Sequence, residues 1–105
     1  MSEFQTMDLW LKSIFNINRE IDFERENAQK SLERLEQLEK KKREIFDVIE
    51  CIENPTYKAI LYKRYVQGEK WEQISEELNY AYTHIVDRLY KKAVVEVCKV
   101  REGQK

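Results

Sequence analysis

From Met1 to Asn54 the chain contains neither glycine nor proline, and along that stretch apolar side chains recur at alternating steps of three and four. The positions are Met7, Trp10, Ile14, Ile17, Ile21, Ala28, Leu35, Leu38, Ile45, Ile49 and Ile52, with Glu24, Ser31 and Lys42 filling the polar positions of the same register. Eleven apolar occupants out of fourteen define a heptad seam. Leu11, Phe15, Phe23, Leu32 and Phe46 broaden it towards both ends, so the stripe is weakest from Glu24 to Ser31. A continuous helix over residues 5–52 would be about 70 Å long, more than the core of one small chain can cover. Either two copies zip together, with Leu35, Leu38, Ile45 and Ile49 at the dimerisation seam, or the helix breaks at the weak segment and folds back as a hairpin. The weak segment, ERENAQKS, holds helix formers and no breaker. That favours the unbroken helix and a homodimer, with parallel or antiparallel order left open.

Glu53-Asn54-Pro55 ends this segment, because the residue before a proline is pushed out of the helical region and proline suits the first turn of the next helix. Asn54 is placed to cap a helix over about 55–66, with Tyr57, Ile60, Leu61 and Tyr65 on its buried stripe. Gly68 closes it in a left-handed conformation. Trp71, Ile74 and Leu78 then mark a short helix over 71–78, Asn79 interrupts, and Ile85, Leu89 and Ala93 begin a third helix over about 82–98. Trp71 is expected to anchor between the first and third of these, and the tail from Arg101 to Lys105 to fray. The reading is therefore all-α: a long coiled-coil helix over 1–53 for oligomerisation, followed by a three-helix head over 54–105.

Two short amphipathic helices joined by a turn of a few residues read as a helix-turn-helix, which leaves the outer face of the second free to enter a major groove. The outward candidates are Tyr82, Thr83, His84, Asp87, Arg88, Lys91 and Lys92. The net charge of −1 conceals an asymmetry. Residues 1–53 carry nine Lys or Arg against thirteen Asp or Glu, and residues 54–105 carry ten against seven. A nucleic-acid footprint is local, so a near-neutral total is compatible with DNA, although one copy neutralises few phosphates. The run Lys40 to Arg43 reads instead as a solvated helix face in which Glu36 pairs with Lys40 one turn on.

Other chemistry finds little support. The single histidine, His84, has no second imidazole or cysteine nearby, and no glycine loop could cradle a phosphate. No enzyme, metal or cofactor is expected. No apolar run approaches a membrane span and no signal-peptide pattern opens the chain. Cys51 and Cys98 lack metal-ligand spacing and read as buried, reduced thiols of a cytoplasmic protein.

The run NPTYKAILYKRYVQGEKWEQISEELNYAYTHIVDRLYKKAV is similar to sigma factor region 4. That module has an apolar helix ending in Arg-Tyr, a glycine linker, an Ile-x-x-x-Leu scaffold helix and a recognition helix with a basic-Ala-Leu ending. The matching residues are Leu61, Arg64, Tyr65, Gly68, Ile74, Leu78, Ile85, Leu89 and Ala93. With its coiled extension, the chain looks most like phage-encoded, sigma-region-4-like regulators of the RinA/ArpU type. The resemblance spans roughly residues 45–97 and the N-terminal helix only in character. It implies a phage or prophage transcription regulator that binds double-stranded DNA and that could contact RNA polymerase. Two departures stand out. Region 4 caps its recognition helix with Ser or Thr where this chain has Ala81, leaving Thr83 or Asn79 to substitute. Asp87 puts a carboxylate on the DNA face, to accept from a cytosine amino group or to pair with Lys91. Nothing resembles the promoter-melting part of a sigma factor. Two alternatives are the recognition subunit of a phage packaging terminase, which also joins such a head to an oligomerising helix, and a coiled-coil adaptor whose head binds RNA polymerase.

Overall fold

The computed structural model describes residues 2–26 and 32–103, and among these every regular element is helical. Helix α1 spans Glu3–Glu26 and α2 spans Leu32–Glu50. Helix α3 runs over Pro55–Leu61 and ends in a π-helical turn, Tyr62–Val66. Helix α4 is Trp71–Leu78. Helix α5 opens with Tyr82–His84, passes through a π-helical turn at Ile85–Leu89 and continues as Tyr90–Gly103.

Local chemistry sets the boundaries. Ser2 and Gln5 form a reciprocal capping box: Gln5 N–H donates to Ser2 Oγ at 3.2 Å and Ser2 N–H to Gln5 Oε1 at 3.1 Å. Asn54 caps α3 through Oδ1, which accepts from the N–H groups of Thr56 and Tyr57 at 2.9 and 3.1 Å. Gly68 takes φ +70°, the left-handed conformation expected of it. The end of α4 is a Schellman turn: Asn79 sits at φ 60°, its N–H reaches Glu76 O, and Tyr80 N–H reaches Ser75 O. Sequence and structure agree on residues 55–66 and 71–78 and on the start at Tyr82.

The unbroken helix over 5–52 does not form. Arg34 Nη2, in the first turns of α2, bonds Glu20 Oε2 at 2.7 Å, and the two helices pack along one another. Fourteen residues of continuous helix would hold that pair about 21 Å apart, so α2 runs back alongside α1. The seam is therefore covered from within the chain: Ile14, Ile17, Ile21, Leu38, Ile45, Ile49 and Ile52 are all buried, and Leu35 is partly so. Leu38, Ile45 and Ile49, assigned to a second copy on sequence grounds, have almost no surface left to offer one. Hydrophobic burial needs only some apolar partner, and the chain's own helices supply it. Seam positions Ala28 and Ser31 lie outside the described residues, as does most of the weak segment.

One buried cluster joins both halves of the chain. It draws Leu11 and Ile14 from α1, Val48 and Ile49 from α2, Ile60 and Leu61 from α3, and Ala93, Val94 and Val97 from α5. Trp71 packs edge-on to Tyr90 with centroids 5.0 Å apart, the anchoring expected of it. Across the same layer Arg64 lies between Phe15 and Trp71, 5.5 and 4.8 Å from their ring centres, and donates from Nη1 to Glu69 O at 3.0 Å.

Three smaller expectations are corrected. Arg101 is not in a frayed tail: helix α5 continues to Gly103, and the Arg101 guanidinium lies 3.9 Å from the centre of the Trp10 ring, where cation–π attraction holds it. Gln104 and Lys105 lie outside the described residues. Cys51 is exposed, because α2 ends one residue earlier and the thiol falls in the turn, while Cys98 is half-buried and its pKa is raised, chiefly by burial. Glu36 and Lys40 form no ion pair; Lys42 instead lies over the Phe46 ring at 5.6 Å.

Candidate nucleic-acid interface

Helix α5 carries opposite chemistry on its two sides. Ile85, Tyr90, Ala93, Val94 and Val97 are buried against α1, α2, α3 and α4. The five-residue step from Ile85 to Tyr90 is the mark of the π turn: one extra residue rotates the rest of the helix, so that Tyr90, rather than Leu89 alone, faces inward. Thr83, Asp87, Arg88, Lys91 and Lys92 are exposed on the opposite side, with Tyr82 at 44% exposure and His84 half-covered. At spacings of four, Thr83–Asp87–Lys91 and His84–Arg88–Lys92 make two parallel rows on one face.

All seven residues expected on the outer face thus lie on α5, exposed or half-exposed. Arg88, Lys91 and Lys92 make no salt bridge to any described residue, and Asp87 and Lys91 do not pair. Some cations elsewhere are engaged, Lys12 with Asp8, Lys58 with Glu50, and Lys63 with Glu77 at 2.6 Å, while Lys40, Lys41, Arg43 and Lys70 are as free of ion pairs to described residues as those on α5. Neither proposed substitute caps α5. Ala81 stands at the N-cap position without a side-chain hydrogen bond, and Asn79 is committed to the end of α4.

Behind this face the positioning groups are buried. Tyr90 Oη donates to Asp8 Oδ1 at 2.6 Å and lies 2.6 Å from Tyr65 Oη. The Tyr90 hydrogen is used on Asp8, so Tyr65 is the donor to Tyr90. Burial, above all, raises the pKa of both phenols, that of Tyr65 to about 12. Asp8 is also paired with Lys12 at 2.9 Å. This relay ties α1 and α3 to the back of α5.

The segment before α4 is held by a second cluster. Lys63 Nζ reaches Glu77 Oε2 at 2.6 Å and Glu69 Oε2 at 3.8 Å. The hydrogen bond to Glu77 raises the Lys63 pKa, and the same bond lowers that of Glu77. Desolvation, followed by the neighbouring Glu77, raises that of Glu69, whose Oε1 is buried without a partner.

By sequence Tyr80 is one of six tyrosines in the head, suited to packing or phosphate contact, and nothing in that reading ties it to His84. Its ring is 40% exposed and lies against His84, centroids 5.6 Å apart and planes tilted by 37°. The four-residue spacing of these two rings was the available signal.

Among the described residues no three His, Cys, Asp or Glu side chains gather as metal ligands, and no helix is long and apolar enough to cross a membrane. An open depression between α2 and α3 is lined by Glu50, Pro55, Lys58, Ala59, Tyr62 and Lys63. No protein-family model, curated protein or solved structure gives a significant match to the chain.

Proposed function

We propose that this chain is a sequence-specific DNA-binding transcription regulator. In this reading α4 and α5 form a helix-turn-helix and α5 enters the major groove of double-stranded DNA. The observation that carries it is the exposed double row Thr83–Asp87–Lys91 and His84–Arg88–Lys92, free of intramolecular ion pairs and backed by a buried core. Cations already paired would have to give up those partners before meeting a phosphate; Arg88, Lys91 and Lys92 do not. The first turn, Tyr82–His84, is the part of such a helix that usually meets base edges. Asp87 is suited to accept from a cytosine amino group.

The resemblance to sigma factor region 4 extends the proposal to a phage or prophage regulator with RNA polymerase as a protein partner. It is supported by the burial of Leu61, Tyr65, Ile74, Ile85 and Ala93 and by the left-handed Gly68, each at its matching position. If two copies cooperate on DNA, they meet through a surface other than the buried seam.

Gel-shift titrations on a selected site and on random duplex, at two salt concentrations, test the reading. Lys91→Ala and Lys92→Ala weaken binding to all duplexes alike and lower the salt slope by about one unit per lost phosphate contact. Changes at Thr83 or His84 alter preference among sequences instead, by about 1–3 kcal/mol for a good base contact. No binding at low salt by the folded protein overturns the proposal and turns attention to a protein-binding head.

A further inference from the structure

We infer that Tyr80 is a positioning residue for base recognition, its ring serving as a buttress that sets the plane of the His84 imidazole at the opening of α5. The inference rests on the DNA-binding reading and adds a residue to it.

Three observations carry it. First, the Tyr80 backbone is fixed: its N–H closes the Schellman turn on Ser75 O at 3.2 Å, directly after the left-handed Asn79. The ring therefore projects from a defined point and not from a loose loop. Second, the ring lies against His84 at 5.6 Å, although 40% of Tyr80 remains open to solvent. An aromatic ring placed on the surface beside another half-covered ring restricts the rotation of both. Third, neither the Tyr80 hydroxyl nor either imidazole nitrogen has a hydrogen-bond partner among the described residues. A neutral imidazole offers one donor and one acceptor, in the plane of its ring. With Tyr80 packed beside the imidazole and no partner among the described residues on either nitrogen, both nitrogens remain available, and a base edge in the major groove presents donors and acceptors of matching kind. A histidine free to spin about its side-chain bonds would lose entropy on making such a contact, and a buttressed one loses less.

The role predicts a coupling that a plain packing role does not. Tyr80→Ala lowers the ratio of selected-site to random-duplex affinity about tenfold, within the range of one good base contact. It leaves random-duplex binding and the salt slope unchanged, because Tyr80 carries no charge. Tyr80→Phe, which keeps the ring, behaves as the parent. In the double-mutant cycle, Tyr80→Ala adds nothing once His84→Ala is in place.

Parallel gel-shift titrations and thermal melts of the parent and the four variants decide the matter. An unchanged ratio in Tyr80→Ala overturns the inference while leaving DNA binding intact, and so does additive loss in the double variant. Loss in Tyr80→Phe equal to that in Tyr80→Ala overturns the buttress, since the hydroxyl then acts directly. A general loss of binding with a lowered melting temperature in Tyr80→Ala assigns the ring to packing and overturns it as well. Failure of the parent to bind any duplex removes the DNA-binding reading and this inference together.

Discussion

Tyr90 serves two neighbours through one hydroxyl: it donates to Asp8 and accepts from Tyr65. Removing that oxygen leaves the buried Tyr65 hydroxyl without an acceptor, whereas removing the Tyr65 oxygen leaves Tyr90 still bonded to Asp8. Tyr90→Phe should therefore cost about 1–3 kcal/mol and Tyr65→Phe clearly less, as read from denaturant melts of the two variants. Glu69 offers a pH-dependent counterpart. Its folded pKa is raised, first by desolvation and then by Glu77. The folded state thus favours its neutral form, and the stability this gives is present at low pH and lost as pH rises through the raised value. Glu69→Gln should raise the melting temperature at pH 7 and make little difference once the parent carboxyl is protonated. A lowered melting temperature at pH 7 would mean that the contact with Lys63 outweighs desolvation.

At the scale of elements, Asn79 is the discriminating position. It holds φ 60°, where most side chains clash with the backbone and glycine does not. Asn79→Gly should leave the melting temperature near that of the parent. A β-branched replacement, Asn79→Val, should cost about 1–2 kcal/mol and shift α5 relative to α4, visible as changed backbone resonances of Tyr82 to Ile85. The boundaries of α3 and α4 were legible because their punctuation is local: Asn54-Pro55, Gly68 and Asn79 each act on the backbone beside them. The Ser2–Gln5 capping box was equally local and was overlooked. The π turns were not legible, since nothing in IVDRL departs from a helical pattern. What selects the extra residue is the demand that Tyr90 face Asp8 and Trp71, both distant in sequence. The candidate outer face survives this rotation because its residues lie within or just beside the turn. The seam was legible as an apolar stripe, but its partner was not. Periodicity records that a face must be covered and carries no sign of what covers it.

At the scale of the whole molecule, the N-terminal helix is part of the wall behind α5. Phe4 meets Tyr90 edge-on at 6.3 Å, Phe15 meets Tyr65 at 5.6 Å, and Arg101 covers Trp10. Deleting residues 1–26 should therefore leave residues 54–105 without cooperative thermal melting, although α3, α4 and α5 all remain in the chain. Circular dichroism melts check this, and a sharp transition in the truncated chain would mean that the head folds without α1.

The docking of Arg101 on Trp10 also governs when the fold can close. The partners are 91 residues apart in a chain of 105, and the carboxylate of Asp8 waits for a hydroxyl made 82 residues later, that of Tyr90. During synthesis α1 emerges long before the surfaces on α5 that will cover it, so its apolar stripe must meanwhile lie against α2 or stay exposed to water. Long-range closure of this kind slows folding relative to a bundle built from neighbours, and it concentrates the risk of misassociation in the interval before α5 arrives.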